Sequence, residues 1–253
     1  MIDLHSHLLP GVDDGARTVA QSVVTLQALA EGGVTDVCLT PHFSASALEG
    51  GVPDAHEEAW AALRREMPVG PQLYRGAEVM LDRGLGPKGA TNPAFRINCT
   101  RYMLVEFPRM VSADAVFNAL RGVVETGVTP LLAHPERYTV CQPALVARWR
   151  ALGALMQVDA TTTLMATRRG DRARALLAHG LADIVAADNH GDNRTMADIR
   201  RALEAQGDGE AAALLTTANP RAILENRPTV PVPPVTVKLP LKDRIRRIFG
   251  ADE

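Results

Sequence analysis

The chain has 253 residues, 46% of them hydrophobic and 22% charged, with a formal net charge of −2. That length and apolar content suit one ordinary globular domain with a sizeable core, and the near-neutral charge gives no pointer to nucleic acid. No apolar run approaches the roughly 20 residues of a membrane span, and Asp3, His5 and His7 interrupt the first apolar stretch, which reads unlike a signal peptide.

Strand-like and helix-like pieces alternate from the first residue. Strand segments are expected at 1–4, 35–40, 72–77, 102–106, 129–133, 155–159 and 182–187. The starts at 102, 129, 155 and 182 recur every 26 or 27 residues, the length of one strand, one helix and two short loops. Between them, Val19, Val23, Leu26 and Ala30 form a helical stripe. Ser112 is placed to cap a helix carrying Val116, Leu120 and Val123, and Leu145, Trp149 and Leu152 make another stripe. Gly127, Gly153 and Gly180 each fall between a helix and a strand, where a left-handed residue ends the helix. Asn219-Pro220 reads as N-cap and first position of a last short helix. Seven strands in this order predict an α/β fold, a closed or nearly closed parallel barrel rather than a doubly wound open sheet, with its chemistry at the C-terminal strand ends.

Five of the seven histidines stand just past these apolar segments: His5, His7, His42, His134 and His190. Asp14, Glu78, Glu106 and Asp188 hold comparable positions. In a strand, residues i and i+2 point to one side, so His5 and His7 can reach one metal ion. Imidazoles and carboxylates gathered at strand ends suit a hydrolytic site with several divalent ions. Glu106 lies in an apolar strand, where an unpartnered carboxylate is costly. Asp13 reads as a turn residue, Glu136 as a surface or supporting one, and His56 and His179 receive no role. The three cysteines, Cys38, Cys99 and Cys141, are widely spaced and form no C-x-x-C, which predicts a reducing cytoplasm. None begins a Cys-x5-Arg loop, so a cysteine nucleophile is not expected.

The opening His5-Ser6-His7-Leu8-Leu9-Pro10-Gly11-Val12-Asp13-Asp14-Gly15 closely resembles the start of the polymerase-and-histidinol-phosphatase (PHP) metallophosphoesterases. Within them it is similar to the bacterial capsule- and exopolysaccharide-associated protein-tyrosine phosphatases (CpsB/CapC-like). The resemblance continues through Thr40-Pro41-His42, Gly76-Ala77-Glu78, Tyr102–Phe107, Ala133–Tyr138, Ala187–His190 and Asn219-Pro220, covering about residues 1–226. It implies the PHP fold, a distorted seven-stranded (β/α) TIM-like barrel, and a three-metal site with His5, His7, Asp14, His42, Glu78, Glu106, His134, Asp188 and His190 as ligands. Without thiolates, Mn²⁺ is the expected ion, with iron or Zn²⁺ next, and Glu78 is the expected bridge. Arg137 and Arg194 correspond to arginines of the tyrosine-phosphatase branch and are candidates for binding phosphate through paired donors. The implied reaction is attack of a metal-activated hydroxide on the phosphorus of phosphotyrosine in a protein, a bacterial tyrosine autokinase that controls capsule or exopolysaccharide synthesis.

Two alternatives share the barrel and metals: a small-molecule phosphomonoesterase of histidinol-phosphatase type, and an inactive metal-binding scaffold. The segment Phe43–Gly51 lacks the basic or extra polar residues often found there in relatives, so the rim is expected to accept a different peptide. The domain division is a barrel over 1–227, a proline-rich linker over 228–240 and a basic amphipathic tail over 241–253. Leu241, Ile245, Ile248 and Phe249 would share one face of that tail, which is expected to pack as a helix or to touch a membrane surface or partner. Arg168-Arg169-Gly170-Asp171-Arg172 reads as a solvated charged turn, able to meet an acidic partner.

Overall fold

The computed structural model describes residues 1–67 and 69–239. All strand pairings are parallel and the strands alternate with helices, so the α/β class expected from sequence is what folds. The strand count differs. Nine strands form two sheets: β1 (Ile2–Ser6), β2 (Asp36–Leu39), β3 (His42–Ser44), β4 (Gln72–Arg75), β5 (Glu78–Met80), β6 (Tyr102–Glu106), β7 (Thr129–Ala133), β8 (Leu155–Asp159) and β9 (Ile184–Ala186). One sheet runs β1-β2-β4 and the other β3-β5-β6-β7-β8-β9. The segments expected at 35–40 and 72–77 form β2 and β4, and each is followed by a short second strand, β3 or β5, that was not expected. Thr40-Pro41 separates β2 from β3, and proline has no N–H to give a ladder. Gly76-Ala77 separates β4 from β5, and a Cβ on Gly76 would lie 2.9 Å from Cys38 Sγ. A single closed ladder of seven strands is therefore not formed. One isolated parallel bridge, Ser6 to Asn189, ties the end of β1 to the loop after β9, where the His7 N–H donates to the Asn189 carbonyl at 2.8 Å.

Alternation along the strands sorts the core into two sides. Ile2, Leu4, Tyr102, Leu104, Leu131, Ala133 and Ile184 pack together from β1, β6, β7 and β9. Their neighbours Met103, Val105, Leu132, Met156, Val158 and Val185 pack outward under the helices. That is the period of two expected of strands buried on both faces.

The helix over Ala113–Glu125 begins where expected, with the Ser112 hydroxyl accepting from the Ala115 N–H. Gly127, Gly153 and Gly180 all take positive φ after their helices. The face of helix Val19–Glu31 is rotated from the expected stripe: Ser22, Thr25, Leu26 and Leu29 are buried, whereas Val19 and Val23 are half-buried. In Pro143–Ala151 the buried pair is Val146 and Trp149. Asn219 is not an N-cap. Its φ of −68° is helical, and a π-helical turn, Leu214–Ala218, runs straight into it. A widened turn accommodates Pro220, which cannot donate an N–H to the helix. The buried Asn219 amide instead clamps two distant strands of chain, donating to the Asp183 and Val230 carbonyls and accepting from the Val230 N–H.

The proline-rich segment is extended through residue 239 and lies on the body of the protein. Val232, Val235 and Val237 are buried in the outer core, and the Val235 N–H donates to the Leu177 carbonyl. The amphipathic tail read at 241–253 lies outside the described residues. Among the described residues, no helix is long and apolar enough to cross a membrane.

Candidate metal centre

The parallel register delivers the site. His42 on β3 stands beside Glu78 on β5, and Met80, two residues on, stands beside Glu106 on β6. His5 lies in β1 and His7 just beyond it, while His134 and Asp188 follow β7 and β9. His134 and Asp188 both have left-handed backbones, with φ of 33° and 48°. A non-glycine residue adopts that conformation only when its surroundings insist on it, and such strain gathers at functional sites.

All nine residues singled out for metal from the sequence come together. Ligand atoms of His5, His7 and Asp188, of His5, Glu78 and His134, of His42, Glu78 and Glu106, and of His7, Asp14, His42 and His190 form four groups, each within 4.8 Å. The deepest is the tightest. His5 Nε2 lies 3.1 Å from His7 Nε2 and 3.2 Å from both Glu78 Oε2 and Asp188 Oδ1. His7 Nε2 lies 3.2 Å from Glu78 Oε2 and 3.3 Å from Asp188 Oδ1. These five separations, all 3.1–3.3 Å, are close enough for donor atoms that share one ion. Glu78 Oε2 and Asp188 Oδ1 are buried with no hydrogen-bond partner among the described residues. Orphaned carboxylate oxygens facing imidazole nitrogens fit a divalent cation.

Glu78 reaches further. Its Oε2 is 3.1 Å from His42 Nδ1, and its Oε1 is 2.9 Å from His134 Nε2. Glu106 Oε1 lies 3.2 Å from His42 Nδ1. At the open edge, Asp14 Oδ1 is 3.4 Å from His42 Nε2 and 3.5 Å from His190 Nε2. Burial falls along this path, from His5, His7 and Glu78, which are fully enclosed, to Asp14, which is exposed.

The electrostatics show why these groups tolerate one another. Burial opposes charge on His7, yet Asp13, Asp188 and Glu78 together hold its imidazole well above the ordinary value. Burial likewise opposes charge on His42, and Glu106 and Glu78 lift it to about 10. Burial would raise the Glu78 and Asp188 carboxyls, but His5 and the neighbouring cations carry both below the usual range. The carboxylates thus demand positive charge at their centre, the charge a dication supplies.

Several supporting residues escaped the sequence reading. Asp13 is more than a turn residue: its Oδ2 accepts from His7 Nδ1 at 2.8 Å, and its Oδ1 accepts from the Gly15 N–H. That bond turns the His7 Nε2 lone pair toward the centre. Gly15 is required here, because a Cβ would fall 1.9 Å from the His7 carbonyl oxygen. Gln157 Oε1 lies 2.9 Å from His5 Nδ1 and accepts from the His134 N–H at 3.3 Å. The signal was present: Gln157 interrupts an otherwise apolar strand between Met156 and Val158, and Asp159 ends it. Asp3 ties β1 to β9, its Oδ1 accepting from the His5 and Ala187 N–H groups. Glu136, read as surface or supporting, is fully buried and accepts from the Asp159 N–H at 2.8 Å.

Arg137 and Arg194 both grip the outer oxygen of Asp188. Arg137 Nη2 bonds Asp188 Oδ2, and bonds Asp159 Oδ2 at 3.1 Å. Arg194 Nη1 donates to the Asp188 carbonyl at 2.6 Å and to its Oδ2 at 3.3 Å. They leave Asp188 Oδ1 turned to His5 and His7.

Residues 1–225 match the family model described as capsular polysaccharide synthesis, CpsB/CapC. The chain belongs to the CpsB/CapC family. Similar members include the tyrosine-protein phosphatase YwqE of Bacillus subtilis, 26% identical with 99% of both chains covered. The tyrosine-protein phosphatase CpsB of Streptococcus agalactiae serotype V is 27% identical, over 89% of this chain and 99% of its own. Among solved structures, one from a study of YwqE from B. subtilis and CpsB from Streptococcus pneumoniae, described as unique metal-dependent tyrosine phosphatases, superposes with a TM-score of 0.79. It is 25% identical and covers 94% of this chain and all of that one. A Deinococcus radiodurans PTE-like lactonase, 15% identical with a TM-score of 0.53 over 88% of this chain and 94% of its own, shares the fold alone.

Proposed function

We propose that this CpsB/CapC member is a metal-dependent phosphatase that hydrolyses phosphotyrosine in a protein. The observation that carries the reading is the convergence of five imidazoles and four carboxylates around Glu78, in a family whose named members are tyrosine phosphatases. Counting β2–β3 and β4–β5 as broken staves, the fold is a distorted seven-staved barrel of the PHP kind. Its strand ends would hold three ions: His5, His7, Glu78 and Asp188 would serve one, Glu78, His42, Glu106 and His134 a second, and Asp14, His42 and His190 a third. Glu78, with one oxygen toward each set, would be shared by the first two. Five nitrogens, carboxylate oxygens and no thiolate favour Mn²⁺, with iron or Zn²⁺ next.

Bound dications supply an acidic water as nucleophile at neutral pH and neutralise phosphate oxygens. The protein's part is placement. Asp13 and Gln157 hold the imidazoles of His7 and His5 from behind. Arg137 and Arg194 fix Asp188, and each keeps further N–H donors for a phosphate oxygen. A tyrosine leaves as a phenol with pKa near 10, so little acid assistance is demanded. The protein substrate is a tyrosine autokinase of capsule or exopolysaccharide synthesis. The enzyme works in the cytoplasm beside such a membrane-bound kinase, and the basic residues of 241–253 contribute attraction to the membrane surface.

A substrate panel tests this reading. With Mn²⁺, a phosphotyrosyl peptide is expected to be turned over in preference to histidinol phosphate and a phosphoseryl peptide. Chelation and His42→Ala are each expected to remove the activity. Turnover of small phosphates alone would move the protein to the small-molecule branch.

A further inference from the structure

A cavity of about 820 Å³ opens beside the metal centre, and its wall carries Arg109, Arg137, Arg168, Arg169, Arg172 and Arg194 against a single carboxylate, Asp159. Arg137 and Arg194 join it to the centre, because both hold Asp188. Those two are paired with acids. The guanidinium groups of Arg109, Arg168, Arg169 and Arg172 make no ion pair among the described residues, and Arg172 Nε is buried without a hydrogen-bond partner.

Their placement works against the fold. Arg168 and Arg169 open the helix Arg168–Ala178, whose N-terminal end is already positive. Burial and then the nearby Arg109, Arg137 and Arg172 make the charge on Arg169 less favourable. Six like charges against one carboxylate create a field that attracts an anion. The volume lies within the about 300–1,000 Å³ of pockets that take small ligands. It exceeds the need of one phosphate group, so it suits a charged side chain together with its stretch of peptide.

We infer that this cavity is a second anion subsite. It takes a phosphate or carboxylate carried by the same peptide as the phosphotyrosine at the metal centre, held by Arg109, Arg168, Arg169 and Arg172. The inference rests on the phosphotyrosyl-protein reading and names its substrate class: segments in which the target tyrosine has an anionic neighbour. Guanidinium forks recognise both phosphate and carboxylate, phosphate more strongly because of its charge and three acceptor oxygens.

The test uses the full chain with Mn²⁺ and three peptides that share one phosphotyrosine. One has neutral flanks, one has glutamates, and one has a second phosphorylated residue. Each is also made with a non-hydrolysable difluoromethylphosphonate at the target position for binding by fluorescence anisotropy. The charged peptides are expected to bind about tenfold more tightly than the neutral one and to show a correspondingly higher kcat/KM. The double variant Arg168→Gln, Arg169→Gln, both exposed residues, is expected to bring the ratio of charged to neutral kcat/KM close to one. The glutamate and phosphate arms decide which anion is preferred. Turnover of all three peptides with no charge preference would overturn the subsite and leave the phosphatase reading standing. Charge-dependent binding of the analogues with no turnover of any phosphotyrosyl peptide would do the reverse. A variant that lost activity equally on all three peptides would also contradict the subsite.

Discussion

The metal cluster and the arginine cavity share a wall yet are built in opposite ways. In the cluster each imidazole faces a carboxylate, and its far nitrogen is often held too, as in His5 to Gln157 and His7 to Asp13. In the cavity four guanidinium groups make no ion pair among the described residues, and the wall carries a single carboxylate, Asp159. The cluster is thus organised before anything arrives, as a site for chemistry must be. The cavity keeps its charge uncommitted, which suits recognition of a variable partner. Arg137 and Arg194 belong to both, holding Asp188 on one side and lining the cavity on the other.

The sharpest way to break this contrast is to spoil the organisation of the cluster without touching a ligand. Asp13→Asn keeps an oxygen for the Gly15 N–H but presents an amide to His7 Nδ1, which favours the wrong tautomer. Metal affinity is expected to fall about 10–100-fold. Equilibrium titration of Mn²⁺ into the chelator-treated variant checks this, and wild-type affinity would show that the imidazole does not need its partner.

A smaller effect marks the border between the two regions. Burial, and next the charge on Asp159, lift the Glu136 carboxyl to about 8. Because the folded value is raised, the stability this group contributes is complete below its ordinary value, near 4.5, and is lost as pH rises through 8. Glu136→Gln keeps the acceptor for Asp159 N–H, so it is expected to be near neutral at pH 5. At pH 8.5 it is expected to stabilise the protein by on the order of 2 kcal/mol. Chemical denaturation at the two pH values measures the difference, and equal effects at both would contradict the burial of a protonated carboxyl.

The same two regions differ in how far they could be read from sequence. Candidate ligands were legible because each follows an apolar segment, and parallel strands bring their C-terminal ends to one place. The supporting contacts were not. Asp13 looks like any turn acid until its oxygen is seen behind His7, and Glu136 carries no local sign of burial. The short extra strands after Pro41 and Ala77 depend on how neighbouring segments meet, which a single apolar run does not record. The arginine cavity was least visible, since Arg109 follows β6, Arg137 follows β7, Arg194 follows β9 and the others open a helix. Only the fold turns that scattered set into one wall, and the run 168–172 by itself looked like a solvated turn.

The most direct test of the central claim follows metal and turnover together. Protein stripped by a chelator is titrated with Mn²⁺ while bound metal is counted by mass spectrometry and hydrolysis of a phosphotyrosyl peptide is recorded. Turnover is expected to be absent in the stripped protein and to rise with occupancy, reaching its plateau only when more than one ion is bound per chain. Full turnover by the stripped protein, or full occupancy without turnover, would contradict the account.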